Sequence, residues 1–208
     1  MRDFDKDLAR RLAEEAVNQG IDPVVALEDG LAKALREVGD RFGQGEAFIT
    51  ELVAAAQAME AGVEILNKEI ARRGASRKSV GRFLIGTVKG DIHSIGKSIV
   101  ATMLQAAGFE VFDIGVDIPN EVFVQKVKEL NPDILGLSAL MTTTMAIQRE
   151  VIIALREAGI RGGVKVVVGG APVTEKWATE IGADACGYDA DHAVKVALRL
   201  MEEVRVDA

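Results

Sequence analysis

The spacing of apolar residues along the chain changes once, close to residue 80. In the first part, apolar residues recur at intervals of three or four, which is the period of an amphipathic helix. Two such series are Leu27, Leu31, Leu35, Val38 and Phe42, and Ile49, Leu52, Ala56, Met59, Val63 and Leu66. The pattern predicts helices at about 5–18, 23–40 and 48–72, with a possible break inside one of them. We therefore expect a bundle of four helices.

The second part alternates short apolar runs with helical stretches. The runs have the length of strands and lie at 82–88, 109–115, 133–139, 164–170 and 183–188. The helical stretches lie at 96–107, 120–130, 144–158, 174–181 and 190–204. Such alternation is typical of an open parallel sheet with helices on both faces. The predicted fold class is an N-terminal all-α helical bundle followed by a C-terminal α/β domain, Rossmann-like (flavodoxin-like), with a five-stranded parallel sheet.

A basic stretch rich in small residues, at 72–79, marks the border between the two parts. We predict a helical domain over 1–75, a linker over 76–80 and a sheet domain over 81–208. Parallel sheets of this kind bind ligands beyond the carboxyl ends of their strands. The loops expected to matter for function lie at 88–96, 138–144, 169–173 and 187–190.

Composition and charge narrow the functional classes. The formal net charge of -7 argues against a general nucleic-acid binder, which usually has a basic surface. No apolar run reaches the roughly 18 residues of a membrane span, so we expect a cytoplasmic protein that binds neither nucleic acid nor membrane. The single cysteine, Cys186, excludes an internal disulfide and a metal site built from several cysteines.

The loop after the first predicted strand carries an unusual sequence, GTVKGDIHSIGKS at residues 86–98. Its end resembles the phosphate-binding pattern G-x-x-x-x-G-K-[ST], because a lysine and a serine follow Gly96. One residue too many separates Gly90 from Gly96, and bulky side chains stand where backbone amides would surround phosphates. Nucleotide binding is therefore disfavoured, and Lys97 and Ser98 are expected to be ordinary first-turn helix residues.

His93 is the strongest candidate for chemistry in this loop. It lies at the expected ligand end of the sheet, two residues after Asp91. A carboxylate at that spacing could hold one imidazole nitrogen and make the other a better ligand or base. Gly96 would let the chain turn sharply into the next helix. From the residues alone, a polar loop histidine without function stays possible, as does a ligand to a metal that a macrocycle already holds.

Three separated motifs fall on the predicted ligand-end loops. Residues 91–96 match D-x-H-x-x-G, residues 138–140 match S-x-L, and Gly169-Gly170 supplies the third part. In type, order and spacing they resemble the cobalamin-binding domain of methionine synthase and of methyltransferase corrinoid proteins. The helices of the first part resemble the cap domain of that family, in VGDRFGQG at 38–45 and FITEL at 48–52.

The resemblance implies a role for each matching residue. His93 would be the lower axial ligand of cobalt, replacing the cofactor's own base, and Asp91 would accept a hydrogen bond from its far nitrogen. Thr144 stands where the family's relay has a serine, so the hydroxyl is kept but the residue type differs. The other implied cofactor-binding residues are Gly90, Ile92, Ser94, Gly96 and Leu140 around the histidine, Ser138, Thr142, Gly169 and Gly170 along a groove for the displaced nucleotide tail (the tail groove), and Tyr188 and Ala190 on its far side.

Phe42, Ile49 and Leu52 match cap residues that cover the methyl group on the upper face of the corrinoid. The same residues satisfy helical periodicity, so a structural role in the bundle core stays open. The implied cofactor is cobalamin or a related corrinoid, with methylcobalamin as the loaded form. Its lower ligand must come and go as cobalt gains and loses the methyl group. The linker and the glycines near 43–45 would act as hinges for the cap.

The implied function is that of a corrinoid methyl carrier in anaerobic one-carbon metabolism, which is not catalytic alone. A methyltransferase barrel needs about 250 residues, more than the 208 present. The expected partners are a substrate-specific methyltransferase, a second methyltransferase that accepts the methyl group, and a reductive activator. The alternatives are a small cobalamin-binding subunit of a mutase and a cobalamin-dependent sensor. The sequence does not name the methyl donor.

Overall fold

The computed structural model describes residues 4–73 and 79–206 and divides into two compact units. The first contains the described residues of Met1–Ser79 together with Thr102–Gly108. The second contains Val80–Ala101 and the described residues of Phe109–Ala208. Most of the predicted linker, 76–78, lies outside the described residues, and the predicted domain borders stay predictions.

The first unit is helical, as its periodicity predicts. Its helices are α1 (Lys6–Asn18), α2 (Pro23–Val25), α3 (Lys33–Gly43) and α4 (Ile49–Arg72), with a π-helical stretch at Ala26–Ala32 between α2 and α3. Because α2, the π-helical stretch and α3 follow one another without a gap, the described part of 1–79 holds three continuous helical segments rather than four. Pro23 opens α2 directly after Asp22, whose carboxylate accepts the amide of Val24 at 2.8 Å.

Small residues on α4 let the helices of this unit pack closely. A Cβ on Gly62 would lie 2.6 Å from a methyl carbon of Leu31 and 3.4 Å from the carbonyl oxygen of Ala9. Most of the predicted apolar positions lie in the core of the unit, and the fully buried side chains include Leu27, Leu35, Leu52, Met59 and Leu66. The apolar period therefore predicts the inner face of the later helices, except that Ile49 at the start of α4 is 50% exposed.

The second unit contains a five-stranded sheet in the order β2-β1-β3-β4-β5, with every adjacent pair parallel. The strands are β1 (Arg82–Thr87), β2 (Glu110–Asp113), β3 (Ile134–Ser138), β4 (Lys165–Gly169) and β5 (Ala185–Gly187). The helices that alternate with these strands are α5 (Ile95–Ala106), α6 (Asn120–Leu130), α7 (Thr142–Glu157), α8 (Glu175–Ile181) and α9 (Ala190–Val206). The residues of α5 from Thr102 onward belong to the first unit. The predicted fold class is confirmed, and the predicted borders of these elements agree within about two residues.

Alternation along the strands decides which residues enter the main core. The leucines and valines on one face of β1, β3 and β4 pack against Phe123 of α6 and Ile152 of α7. Gly86 leaves room for this contact, because a Cβ there would lie 2.9 Å from the ring of Phe123. Ser138 and Gly169 each follow a core residue in their strand, so they lie on the opposite face of the sheet, away from this core.

The last residues of four strands form a row across the carboxyl edge of the sheet. Thr87 pairs with Ser138, Ser138 with Gly169, and Gly169 with Gly187. The predicted ligand loops all begin within one or two residues of this row, so the sheet brings residues distant in sequence to one edge. Within the described residues, no helix is both long and apolar enough to cross a membrane.

Neighbouring isoleucines on α7 test the packing of this core. Ile152 is completely buried, whereas Ile153 is 42% exposed. We expect Ile152→Ala to lower the free energy of unfolding by about 2–5 kcal/mol, because it leaves a cavity. Ile153→Ala makes the same chemical change on the same helix and should cost about 1 kcal/mol or less. Urea unfolding followed by circular dichroism measures both; equal losses would contradict the packing described.

Candidate functional site

A buried carboxylate organises the loop that follows β1. The side chain of Asp91 is completely buried. Its Oδ1 accepts a hydrogen bond from the amide of His93 at 3.0 Å and lies 2.7 Å from Nδ1 of the same residue. Its Oδ2 accepts hydrogen bonds from the hydroxyl of Thr144 at 2.7 Å and from the amide of Leu140 at 2.8 Å. One carboxylate thus joins the loops after β1 and β3.

The surroundings of Asp91 keep it ionised. Burial opposes the charged form and by itself would raise the pKa of Asp91. The hydrogen bonds from Thr144, from the amide and ring of His93 and from the amide of Leu140 together outweigh burial and hold the pKa well below its usual range. An ionised carboxylate only accepts hydrogen bonds, so Nδ1 of His93 carries a proton, and in the neutral ring Nε2 keeps its lone pair.

The backbone of His93 is fixed while its ring is half exposed. The buried hydroxyl of Thr87, the last residue of β1, donates to the carbonyl oxygen of His93 at 3.0 Å. The histidine side chain keeps 47% of its surface accessible. The loop therefore offers an imidazole that is oriented from behind and open in front.

A second set of contacts braces the same loop from the side of β2. Lys97 is buried, and its ammonium group pairs with the carboxylate of Asp113 at the end of β2. Asp117 accepts the amide of Gly90 at 2.8 Å and pairs with Lys89 at 3.1 Å. The expectation that Lys97 is an ordinary first-turn residue is wrong, because its position on α5 turns it into the protein towards Asp113.

Gly96 does not make the sharp turn that was expected of it. It lies inside α5 with helical backbone, and the left-handed residue of this loop is Gly90, with φ of 80°. A Cβ on Gly96 would meet no atom within 4 Å. Gly96 therefore faces open space, and no turn requires it to be glycine.

Large apolar side chains surround this edge of the sheet and are exposed. Ile92 keeps 74% of its surface accessible, and the others are Ile95, Leu140, Met141 and Tyr188. They follow β1, β3 or β5 at the carboxyl edge, where Ser94 is exposed as well. Several exposed apolar side chains at one edge favour a large, mainly apolar ligand.

In the predicted tail groove, Gly170 must be glycine for a structural reason. Gly170 has φ of 130°, and a Cβ there would lie 1.8 Å from the carbonyl oxygen of Ala139. The chain segments after β3 and β4 approach so closely that only glycine fits. Ser138 is partly buried at the end of β3, and Thr142 is exposed at the first position of α7.

Two stacked rings follow the end of β5. The rings of Tyr188 and His192 lie 4.6 Å apart between centroids at an interplanar angle of 30°. The hydrogen bond to Glu175 raises the pKa of the Tyr188 phenol to about 12. His192 is therefore a stacking partner of Tyr188. Ala190, between them in sequence, is buried.

The three predicted cap residues differ in exposure within the helical unit. Leu52 is completely buried in α4, which is the behaviour of a core residue. Ile49, at the start of α4, is 50% exposed, and Phe42 is partly buried. Their contact with a methyl group stays a prediction.

The sequence predicted that Asp91, His93 and Thr144 act together, and the structure shows the hydrogen bonds that join them. Sequence reasoning missed Thr87 and the Lys97–Asp113 pair. Thr87 carried a weak signal, as a polar residue at the end of the apolar run of β1. The lysine pair carried none, because most of α5 lies between its partners in sequence. The contribution of Leu140 comes from its backbone, which no side-chain pattern reveals.

Comparisons with known proteins agree with this geometry. A family model described as B12 binding domain matches residues 81–198, and a second B12 binding domain model matches residues 1–67. The trimethylamine corrinoid protein of Methanosarcina barkeri is 52% identical over 192 residues, which are 92% of this chain and 88% of that protein. The dimethylamine corrinoid protein 1 of Methanosarcina acetivorans is 50% identical over 196 residues, covering 94% of this chain and 91% of its own length.

A solved structure extends the similarity to three dimensions. The methanol:cobalamin methyltransferase complex of Methanosarcina barkeri contains a chain that matches with a TM-score of 0.83 at 30% identity. The match covers 97% of this chain and 76% of that one. The resemblance seen in the sequence motifs is confirmed: the chain belongs to the family of B12-binding corrinoid proteins.

Proposed function

We propose that this protein is a corrinoid methyl carrier of a methyltransferase system. The observation that carries the proposal is the half-exposed His93 ring, held through Nδ1 by the buried, ionised carboxylate of Asp91. A ring held in this way presents Nε2 outward as a ligand whose orientation and tautomer are already set. When bound, the corrinoid supplies a cobalt centre that accepts a methyl group and gives it up again.

The residues present fit such a cofactor. His93 would supply the lower ligand, and the exposed Ile92 and Leu140 would contact the macrocycle. Asp91 holds the Nδ1 proton, and Thr144 and the amide of Leu140 hold Asp91. The half-exposed ring of His93 leaves the approach to the histidine free.

The displaced nucleotide tail would lie in the tail groove. Ser138 offers a hydroxyl at the end of β3, and Gly169 and Gly170 present backbone without side chains. Thr142 at the start of α7 and Tyr188 after β5 would complete the walls.

A methylamine is the methyl donor that we propose. Similarity supports it, since the trimethylamine and dimethylamine corrinoid proteins are 50–52% identical to this chain, against 30% for the chain of the methanol complex. The partners would be a methylamine methyltransferase, a second methyltransferase that takes the methyl group onward, and a reductive activator. Location in the cytoplasm stays a prediction.

Replacing the proposed ligand tests the function directly. The protein reconstituted with cobalamin should show histidine-ligated cobalt by absorbance, and nitrogen splitting in the electron paramagnetic resonance spectrum of its cobalt(II) form. Labelling histidine with ¹⁵N should change that splitting from a triplet to a doublet. His93→Ala should lose the absorbance of histidine-ligated cobalt and any change of the splitting on ¹⁵N-histidine labelling. His192→Ala, which changes the other histidine of the chain, should keep both. A wild-type protein that binds no corrinoid would overturn the proposal.

The threonines of α7 provide a matched test of the support for His93. Thr144→Val removes a hydroxyl bonded to a buried carboxylate and should lower the free energy of unfolding by about 1–3 kcal/mol. It should also lower the fraction of bound cobalamin that is histidine-ligated. Thr144→Ser keeps the hydroxyl and should preserve most of both properties. Thr143→Val changes an exposed neighbour and serves as control; equal effects at both positions would exclude the proposed support.

Methyl-transfer assays distinguish the donors. The reduced, cobalamin-loaded protein is mixed with the trimethylamine, dimethylamine or methanol methyltransferase of Methanosarcina and the matching substrate. Because specificity rests on recognition by the partner, we expect faster methylation with a methylamine pair than with the methanol pair. The appearance of the methylated cofactor is followed by absorbance. A faster reaction with methanol would contradict the proposed donor while leaving the carrier function intact.

A further inference from the structure

Gln148, on α7, joins three elements behind the carboxyl edge of the sheet. Its side chain is completely buried. Its Nε2 donates to the carbonyl oxygen of Leu137 at 2.9 Å and to that of Gly169 at 3.1 Å. Its Oε1 accepts the indole N–H of Trp177, on α8, at 3.0 Å. Both amide protons and the amide oxygen therefore have partners.

The two carbonyl groups belong to the walls of the tail groove. Leu137 directly precedes Ser138, and Gly169 is itself a groove residue that pairs with Ser138 in the sheet. The side chain of Leu137 lies in the core that includes residues of α7, so alternation directs Ser138 to the opposite face. Gln148 thus holds both walls from the face that the tail would not touch.

The separation of these walls is narrowly set. The amide of Ala139 donates to the same Gly169 oxygen at 3.0 Å, and the Ala139 oxygen leaves no room for a Cβ on Gly170. Close-packed segments of this kind transmit a small displacement instead of absorbing it. Loss of the Gln148 contacts would therefore shift the end of β4 relative to the end of β3.

Trp177 fixes which way the amide of Gln148 points. An indole N–H is a donor only, so Oε1 must face it and Nε2 must face the carbonyl groups. The guanidinium of Arg149 lies 4.6 Å from the centre of the indole ring and pairs with Glu180 of α8. These contacts hold the indole against α7, and the indole in turn holds the amide.

We propose that Gln148, oriented by Trp177, is a positioning residue that sets the width of the tail groove and so favours corrinoids with a complete nucleotide tail. This inference rests on the proposed function. A purely structural glutamine would affect the binding of every corrinoid equally, because it would act only on stability. A residue that positions the groove affects only the binding of the tail. It leaves the binding of the macrocycle and the histidine ligation unchanged.

The test compares aquocobalamin, which has the tail, with aquocobinamide, which lacks it. Gln148→Met keeps the length of the side chain and removes its donors and acceptor. We expect the dissociation constant for aquocobalamin to rise about tenfold. That change corresponds to the loss of one or two hydrogen bonds between the tail and the displaced groove walls. The dissociation constant for aquocobinamide should stay within about twofold, a change too small to represent a lost hydrogen bond. Histidine ligation of bound aquocobinamide should be unchanged.

Three further variants keep the test decisive. Trp177→Phe removes the indole N–H together with part of the ring volume and keeps an aromatic side chain. It should give a smaller, tail-specific loss of affinity even where Gln148→Met folds poorly. The double variant, Gln148→Met with Trp177→Phe, should lose no more affinity for aquocobalamin than Gln148→Met alone. Both changes break the same hydrogen-bond network, so their effects are not additive. Gln125→Met makes the same substitution at an exposed position of α6 and should bind both corrinoids like the wild type.

The outcomes separate this inference from the function on which it rests. Equal losses for both corrinoids, or no loss in Gln148→Met and Trp177→Phe, would overturn the role of Gln148 and leave the carrier function standing. Failure of the wild type to bind either corrinoid would instead overturn the carrier function itself.

Discussion

The geometry of the site depends on the need to satisfy one buried negative charge. A carboxylate without partners is costly inside a protein, by several kcal/mol even after relaxation. Asp91 avoids this cost because donors reach it from two loops, the amide and ring of His93 on one side and Thr144 and the Leu140 amide on the other. Those loops follow neighbouring parallel strands, so the sheet makes their meeting possible and the charge makes it favourable.

Along the carboxyl edge of the sheet, the inner and outer sides differ in polarity and exposure. Contacts on the inner side are polar, buried and satisfied, as at Asp91, Lys97 and Gln148. Side chains on the outer side are exposed and largely apolar, as at Ile92. The satisfied inner contacts hold the loop backbone in place, which would reduce the conformational entropy lost when a ligand binds.

The sequence predicted the elements well because their signals are local. Apolar periods of two and 3.6 residues, together with breakers such as Pro23, locate helices and strands without knowledge of their neighbours. The motif around Asp91 and His93 was also visible, since both residues lie in one short loop. The partners of Lys97 and Gln148 were not visible, because they are set by strand order and helix packing. The misassigned role of Gly96 has a similar origin: a glycine before a helix predicts a turn, but the chain had already turned at Gly90.

The tail groove and the histidine act on one equilibrium in the proposed carrier. His93 would take the place of the cofactor's own base, which is part of the tail. Binding energy gained by the tail in the groove would therefore favour His93 as ligand, although the two sites would contact different parts of the cofactor. Asp91 would orient the imidazole, and Gln148, acting behind Ser138 and Gly169, would position the groove that receives the tail. The two buried polar groups would thus favour the same bound state of the cofactor.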